Sequence, residues 1–218
     1  MMRGLIFDLD GVLINSMPLH IEAWRNAFNE IVNIEVNERM ICALEGMRGI
    51  DLATRLLELN NLDKKLAQLV TKRKSEIFRS HFIKAAKPFV GVQQLLEKLR
   101  CVKAVVSGSS KEDVSDLLSQ FKNIEFEVII TADDVSVGKP DPLAFVIALR
   151  AMNIDKKHAM IIENAPLGIE AANTAGINSV VVLNNSPLNQ RDFNGKIDRS
   201  RIHTNIDSIS TILFEWCR

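Results

Sequence analysis

The sequence predicts an α/β protein with a doubly wound parallel sheet and an inserted helical segment. Short runs rich in β-branched residues alternate with amphipathic segments, and one long stretch after the first run has helical patterns only. Parallel strands need crossover connections, which the amphipathic segments can supply. At 218 residues and 47% hydrophobic content, the chain can bury one core with a smaller appendage.

Five runs are predicted to be strands: LIFDLD, KAVVSG, FEVIITAD, AMIIEN and NSVVVL. Four segments between them are predicted to be crossover helices: GVQQLLEKLR, KEDVSDLLSQF, DPLAFVIALRAM and PLGIEAANTAG. Residues 16–85 contain no convincing strand. Pro88 and Gly91 indicate a turn where the chain re-enters the sheet domain. We therefore expect a core of residues 1–15 and 86–218, with a helical insert over residues 16–85.

Composition limits the partners and the compartment. Lys plus Arg and Asp plus Glu both total 27, so no net charge favours nucleic acid or an anionic membrane. The three cysteines are odd in number and widely spaced, which predicts neither a disulfide framework nor a zinc site. No apolar stretch has the length of a membrane span. We expect a soluble protein of the reducing cytoplasm.

Polar residues follow the predicted strands where each one ends. Asp8 and Asp10 close the first run, the segment Ser107–Ser110 closes the second, and Glu163 and Asn164 close the fourth. Ligands of open α/β sheets bind beyond the carboxyl ends of the strands, so these residues should meet at one edge. Crowded carboxylates need a cation, and hard oxygen ligands favour Mg²⁺.

The same edge offers groups for a phosphate. Ser107 and nearby backbone N–H groups precede a helix, and Lys139 in VGKPDP adds a compact positive charge. Other interpretations stay open at this point: the aspartates can be turn residues, Ser107 a helix cap and Lys139 a solvated charge.

Four motifs in this order give the chain a family resemblance. FDLDGVLINS, VVSGSS, GKPDP and IIENAPLGIEAANTAGI, with a helical insert after the first, resemble the haloacid dehalogenase superfamily in its branch of β-phosphoglucomutase-like sugar-phosphate phosphatases. The resemblance covers nearly the whole chain and implies a Rossmann-like core with a mobile helical cap.

The resemblance also implies roles for particular residues. Asp8 is expected to attack phosphorus and become an aspartyl phosphate, with Asp10 as general acid and base. Ser107 and Lys139 are expected to hold the phosphate, with Gly108 and Ser109 beside it. Mg²⁺ is expected at Asp8, the backbone carbonyl of Asp10 and the Glu163-Asn164 segment.

Position 164 departs from the family pattern, which usually has Asp after Glu. The amide oxygen of Asn164 can still bind Mg²⁺ but brings no charge, so we expect weaker metal binding. Our hypothesis is that Glu163 takes over part of the ligation.

The cap is expected to recognise the leaving group of the substrate, with His20, Arg48 and Lys74 facing it. His20 can instead be a surface histidine, Trp24 a core residue, and Lys74 part of a solvated basic face. Arg48 can form a bidentate fork onto a phosphate or onto sugar hydroxyls.

The resulting expectation is a Mg²⁺-dependent phosphatase that acts on a small phosphorylated metabolite, a sugar or polyol phosphate. Three alternatives stay open: a β-phosphoglucomutase-type transfer assisted by His20 and Lys74, a phosphometabolite-binding protein with weak turnover, and dehalogenation by the same aspartate. Asp10 and the DGV that follows it favour phosphoryl transfer over dehalogenation.

Overall fold

The computed structural model describes residues 2–218 and contains one parallel sheet. Among these residues the sheet has six strands in the order β3-β2-β1-β4-β5-β6. The strands are β1 Gly4–Phe7, β2 Val102–Val106, β3 Val128–Ile130, β4 Ala159–Glu163, β5 Asn178–Val182 and β6 Ile202–His203. The predicted α/β fold class is therefore confirmed.

Nine α-helices accompany the sheet in the described part of the chain. They are α1 Met17–Val32, α2 Glu38–Ala43, α3 Gly49–Leu59, α4 Ala67–Ile77, α5 Val92–Lys98, α6 Lys111–Leu118, α7 Leu143–Met152, α8 Pro166–Ala175 and α9 Ser210–Trp216. A π-helical turn, Phe78–Phe82, directly follows α4. All four predicted crossover helices form, as α5 to α8.

The strands bury both faces because successive side chains point to opposite sides of the sheet. Leu5 and Phe7 of β1 join one hydrophobic cluster, whereas Ile6 joins the other together with Phe145 of α7. This two-sided burial explains why β1 reads as an uninterrupted apolar run.

Five strands were predicted and all five form. The sixth, β6, was missed because Ile202 and His203 are too short a segment to carry a periodic pattern. The terminal helix α9, which follows it, was also not predicted.

The helical insert leaves and re-enters the core at one place. Ile14 bridges Pro88, and the Asn15 N–H donates to the Lys87 carbonyl at 2.8 Å. Helices α1 to α4 lie between these two crossings, and we call residues 16–85 the cap. The exact boundaries at residues 15 and 85 stay a prediction.

The spacing of the cysteines predicted no disulfide framework, but the structure contains one disulfide. Cys101 and Cys217 form a disulfide with a Cα–Cα distance of 5.2 Å, whereas Cys42 is free and buried. The bond joins the start of β2 to the end of α9. A sequence separation of 116 residues hides this proximity, which arises only when the sheet assembles.

In residues 2–218, none of the helices combines the length and the apolar character that crossing a membrane requires.

Candidate active site

Three adjacent strands deliver the candidate catalytic residues to one edge of the sheet. Asp8 follows β1, Ser107 follows β2, and Glu163 is the last residue of β4. Because β2, β1 and β4 are neighbours, these residues converge at the carboxyl edge, below the cap.

Lys139 links Asp8 to Glu163. Its Nζ lies 2.5 Å from Asp8 Oδ1 and 2.5 Å from Glu163 Oε1, and all three residues are almost fully buried. Burial favours the neutral form of an amine, but the two carboxylates outweigh it and raise the pKa of Lys139. The ammonium therefore stays charged.

The same environment also raises the pKa of Asp8, which favours its neutral form. Burial raises the pKa of Asp8 to about 8, the charges of Glu163 and Asp10 add to the rise, and Lys139 opposes it. Burial is therefore the main reason that the neutral form of Asp8 is favoured.

Asp10 has a different surrounding, made of hydrogen-bond donors. Ser16 Oγ donates to its Oδ1 at 2.6 Å, and Ser109 Oγ and Ser107 Oγ donate to its Oδ2 at 2.8 and 3.2 Å. His20 Nε2 lies 3.0 Å from Oδ1. Burial would raise the pKa of Asp10, but His20 and the hydroxyls overcome it and hold that pKa well below its usual range.

A chain of polar groups runs from the cap to Asp10. Lys74 Nζ lies 2.9 Å from His20 Nδ1, while the Nε2 of the same ring faces Asp10. An ammonium can only donate, so Nδ1 accepts and the ring proton lies on Nε2. Burial and Lys74 lower the pKa of His20, which fits this neutral form. The ring also stacks on Phe78, with centroids 3.9 Å apart.

Asn164 lies between the core and the cap. Its Nδ2 donates to the backbone carbonyl of Asp10 at 3.1 Å and to Glu45 Oε2 at 3.0 Å. Its own Oδ1, together with Glu45 Oε1, is buried without a hydrogen-bond partner. Burial, followed by the charges of Asp8 and Asp10, raises the pKa of Glu45 well above its ordinary value.

Glu163, by contrast, has both carboxylate oxygens engaged. Oε1 pairs with Lys139, and Oε2 accepts the backbone N–H groups of Asn164 and Ala165 at 2.7 and 2.9 Å. The side chain is fully buried. This arrangement suits a residue that positions Lys139 and disfavours the hypothesis that Glu163 binds the metal.

The donors at this edge fit a hard cation, although not as a cluster of carboxylates alone. Throughout residues 2–218, no three side chains of His, Cys, Asp or Glu converge as a set able to hold an ion. The available oxygens instead include the carboxylate of Asp8, the Asp10 carbonyl and the unpartnered Asn164 Oδ1. Such mixed oxygen donors suit Mg²⁺, which keeps several waters.

A cavity of about 310 Å³ opens above Asp8 and Asp10, between core and cap. Its lining includes His20, Trp24, Arg48 and Lys74 from the cap and Gly108, Ser109 and Ser110 from the core. A volume of this size suits a small metabolite. Trp24 is buried and also lines the cavity, and Lys74 Nζ lies 5.3 Å from the centroid of its ring.

Arg48 lies at the cavity but is already paired. Its Nε and Nη2 contact the two carboxylate oxygens of Asp51 at 2.7 and 3.0 Å. To bind a phosphate or a sugar hydroxyl with its fork, Arg48 has to release or share Asp51.

The cap loop that follows α2 packs directly on the core. A Cβ on Gly108 would lie 2.7 Å from the Met47 carbonyl oxygen, and one on Gly46 would lie 2.6 Å from Lys139 Cδ. The Lys139 N–H also donates to the Gly46 carbonyl at 3.2 Å. These close approaches show a cap that is docked over the catalytic edge.

Sequence reasoning missed two polar residues of this site, Ser16 and Glu45. Ser16 is the last residue of the first motif, and a serine before a helix is also typical of a helix cap. Glu45 stands in EGMRG next to Arg48, which was selected, but only the docked loop brings its carboxylate to Asn164.

Fold and site together define an α/β enzyme whose helical cap covers paired aspartates at the carboxyl edge of a parallel sheet. Residues 5–182 match the family model of the haloacid dehalogenase-like hydrolases, and the chain belongs to that family.

Among its relatives is the fructose-1-phosphate phosphatase of Escherichia coli, 29% identical over 182 residues, which cover 82% of this chain and 95% of the relative. The β-phosphoglucomutase of Bacillus subtilis is 26% identical over 198 residues, 86% of each chain. A solved structure of a putative β-phosphoglucomutase from Bacteroides vulgatus superposes with a TM-score of 0.86 at 24% identity, covering 99% of this chain and 90% of that one. The protein is accordingly an enzyme of the phosphatase type.

Proposed function

We propose that this protein is a Mg²⁺-dependent phosphatase of a small sugar or polyol phosphate, working through an aspartyl phosphate on Asp8. The observation that carries the proposal is the contrast between the two aspartates. Asp8 pairs with Lys139, whereas Asp10 is held by three hydroxyls and His20. This contrast supports Asp8 as the nucleophile and Asp10 as the residue that exchanges protons.

In the first step an oxygen of Asp8 attacks phosphorus, and the bond from phosphorus to the leaving oxygen breaks. The leaving oxygen takes a proton from Asp10. In the second step water attacks the phosphorus, Asp10 accepts a proton from it, and inorganic phosphate leaves while Asp8 is regenerated.

Asp10 must carry a proton for the first step, although its surroundings favour the carboxylate. The hydrogen bonds from Lys74 to His20 and from His20 to Asp10 offer a path: Lys74 gives a proton to Nδ1 as Nε2 passes one to Asp10 Oδ1. Burial lowers the pKa of Lys74, which makes that ammonium a better proton donor.

Mg²⁺, when bound, would offset the charge of the phosphoryl group and of Asp8. Asp8, the backbone carbonyl of Asp10 and the amide oxygen of Asn164 are the groups proposed to hold it. Lys139 would face the phosphoryl oxygens together with Ser107 and the N–H groups of Gly108 and Ser109.

The test is phosphate release from a panel of sugar, polyol and nucleotide phosphates, with Mg²⁺ titrated. We expect release from a narrow group of sugar phosphates, and none from Asp8→Asn. Asp133→Asn is the matched control, because Asp133 lines the same cavity but takes no part in the proposed steps. Undiminished release by Asp8→Asn contradicts the proposal.

A mutase is the second candidate, because the Lys74 and His20 chain reaches Asp10 from the cap and a β-phosphoglucomutase is among the relatives. In that reaction a second sugar hydroxyl, not water, attacks the aspartyl phosphate. Product analysis with β-glucose 1-phosphate separates the two: isomerised sugar supports a mutase and free phosphate a phosphatase. Tight binding of a phosphometabolite without either product supports a binding protein.

A further inference from the structure

Glu45 is a cap carboxylate placed inside the catalytic edge of the core. Its Oε2 accepts from Asn164 Nδ2 at 3.0 Å, and its Oε1 is buried without a partner. A buried carboxylate oxygen that accepts no hydrogen bond is costly, so this oxygen is available to a ligand. Glu45 lies outside the four family motifs.

The amide of Asn164 faces the same point. The side chain is 2% exposed, its Nδ2 touches both the Asp10 carbonyl and Glu45, and its Oδ1 has no partner. The amide nitrogen is the donor that holds these oxygens of core and cap together. Turning the amide about its last torsion exchanges nitrogen for oxygen, which would leave only oxygens there and would call for either a proton on Glu45 or a cation among them.

The charges favour the same conclusion. Burial, and after it the charges of Asp8, Asp10 and Glu163, raise the pKa of Glu45, and Lys139 opposes them. Lys139 already has two carboxylate partners, which are Asp8 and Glu163. One further cation would relieve the repulsion that the cap brings in with Glu45.

We propose that Glu45 supplies, from the cap, the carboxylate ligand that Asn164 does not supply from the core, so that docking of the cap completes the Mg²⁺ site. This rests on the proposed function, because it concerns the cation of the same reaction. It replaces the hypothesis of ligation by Glu163, whose oxygens are engaged elsewhere.

The inference makes metal affinity depend on a cap residue. We would measure Mn²⁺ binding by electron paramagnetic resonance, without substrate, for wild type, Glu45→Gln, Asn164→Asp and the double variant. Glu45→Gln should weaken Mn²⁺ binding at least tenfold. Asn164→Asp should tighten binding, and in its background Glu45→Gln should cost less than threefold, since the core then provides its own carboxylate.

Two further variants separate ligation from mere charge. Glu45→Asp keeps the charge but shortens the side chain, and should weaken Mn²⁺ binding nearly as much as Glu45→Gln. Glu22→Gln removes a charge from an exposed position on α1 of the same cap and should change affinity less than twofold. Circular dichroism checks that each variant is folded, and Glu45→Asp carries the test should Glu45→Gln not fold.

Unchanged Mn²⁺ affinity in Glu45→Gln overturns the inference. So does a result in which Glu45→Gln lowers Mn²⁺ affinity by the same factor in the wild type and in Asn164→Asp. Phosphate release by the same wild-type preparation then shows which claim has failed. If the wild type releases phosphate in a Mg²⁺-dependent way and Glu45→Gln has unaltered Mn²⁺ affinity, the proposed phosphatase function stands and the proposed role of Glu45 is wrong. If the wild type neither binds Mn²⁺ nor releases phosphate, both the proposed function and the proposed role of Glu45 are wrong.

Discussion

Lys139 Nζ lies 2.5 Å from Asp8 Oδ1, although 131 positions separate the two residues in the chain. The contact joins the loop before α7 to the end of β1, and the same ammonium also reaches Glu163. A single buried cation therefore compensates two buried carboxylates, and removing it affects both stability and chemistry.

Lys139→Met tests this dependence. It leaves Asp8 and Glu163 without a cation, and breaking a buried ion pair from one side costs about 3–5 kcal/mol. We expect the free energy of unfolding, measured by urea titration, to fall by about that amount and phosphate release to be lost. Lys98→Met, at an exposed position on α5, is the control. Unchanged stability would show that the two carboxylates do not depend on Lys139.

Arg79 of the cap forms ion pairs with the core. Its Nη1 lies 2.6 Å from Asp113, which is buried, and its Nη2 lies 2.9 Å from Asp116, both on α6. Arg79→Gln should favour the undocked cap, raising KM several-fold while changing the free energy of unfolding by about 1–3 kcal/mol. Steady-state kinetics and hydrogen exchange of the cap loop measure the two effects.

Arg79 also pairs with Glu112, so it has three carboxylate partners on α6, and its control is an arginine with two such partners inside the cap. Arg73 pairs with Glu30 and Glu76, which all lie within the cap, so Arg73→Gln breaks equivalent contacts without crossing to the core. KM should stay within twofold of wild type. Equal KM changes in both variants would mean that Arg79 does not act through docking.

The pH dependence of stability can be assigned in part to His203. Burial lowers its pKa, and its Nε2 is buried without a partner. The unfolded chain therefore binds a proton near pH 6.5 that the folded protein binds only at lower pH, so stability falls as pH drops below about 6.5. The slope should stay well below the limit of about 1.4 kcal/mol per pH unit, because the residue is partly exposed.

His203→Gln should flatten this dependence, whereas His81→Gln, at an exposed position, should not. Urea titrations at pH 7.0, 6.0 and 5.0 in the absence of added metal make the comparison. Identical pH profiles for wild type and His203→Gln would assign the effect to other groups.

The sequence predicted where a residue lies in the fold wherever a structural rule relates its position along a strand to its position in space. Parallel strands end at a common edge, so Asp8, Ser107 and Glu163 could be placed together from their positions alone. Glu45 could not, because its location depends on how the cap docks. The Cys101–Cys217 bond was hidden for a similar reason, since it joins segments that only the completed sheet brings together.

Close packing at Gly108 provides a way to disturb docking without touching a charged group. An added Cβ would lie 2.7 Å from the Met47 carbonyl oxygen and 3.0 Å from the Gly46 carbonyl oxygen, both in the backbone of the cap loop. Backbone atoms cannot yield as a flexible side chain can, so Gly108→Ala should push the loop away from the catalytic edge. We expect kcat/KM to fall at least tenfold, with the free energy of unfolding reduced by less than about 2 kcal/mol.

Gly49→Ala is the matched control, because its Cβ would meet the methyl group of Thr71 at 3.1 Å inside the cap. Its effect on kcat/KM should be less than threefold. Mn²⁺ affinity adds a second readout: if Glu45 reaches the metal only when the loop is docked, Gly108→Ala should weaken Mn²⁺ binding and Gly49→Ala should not. A Gly108→Ala protein with wild-type kinetics and wild-type Mn²⁺ affinity would show that catalysis does not require the loop to approach the core this closely.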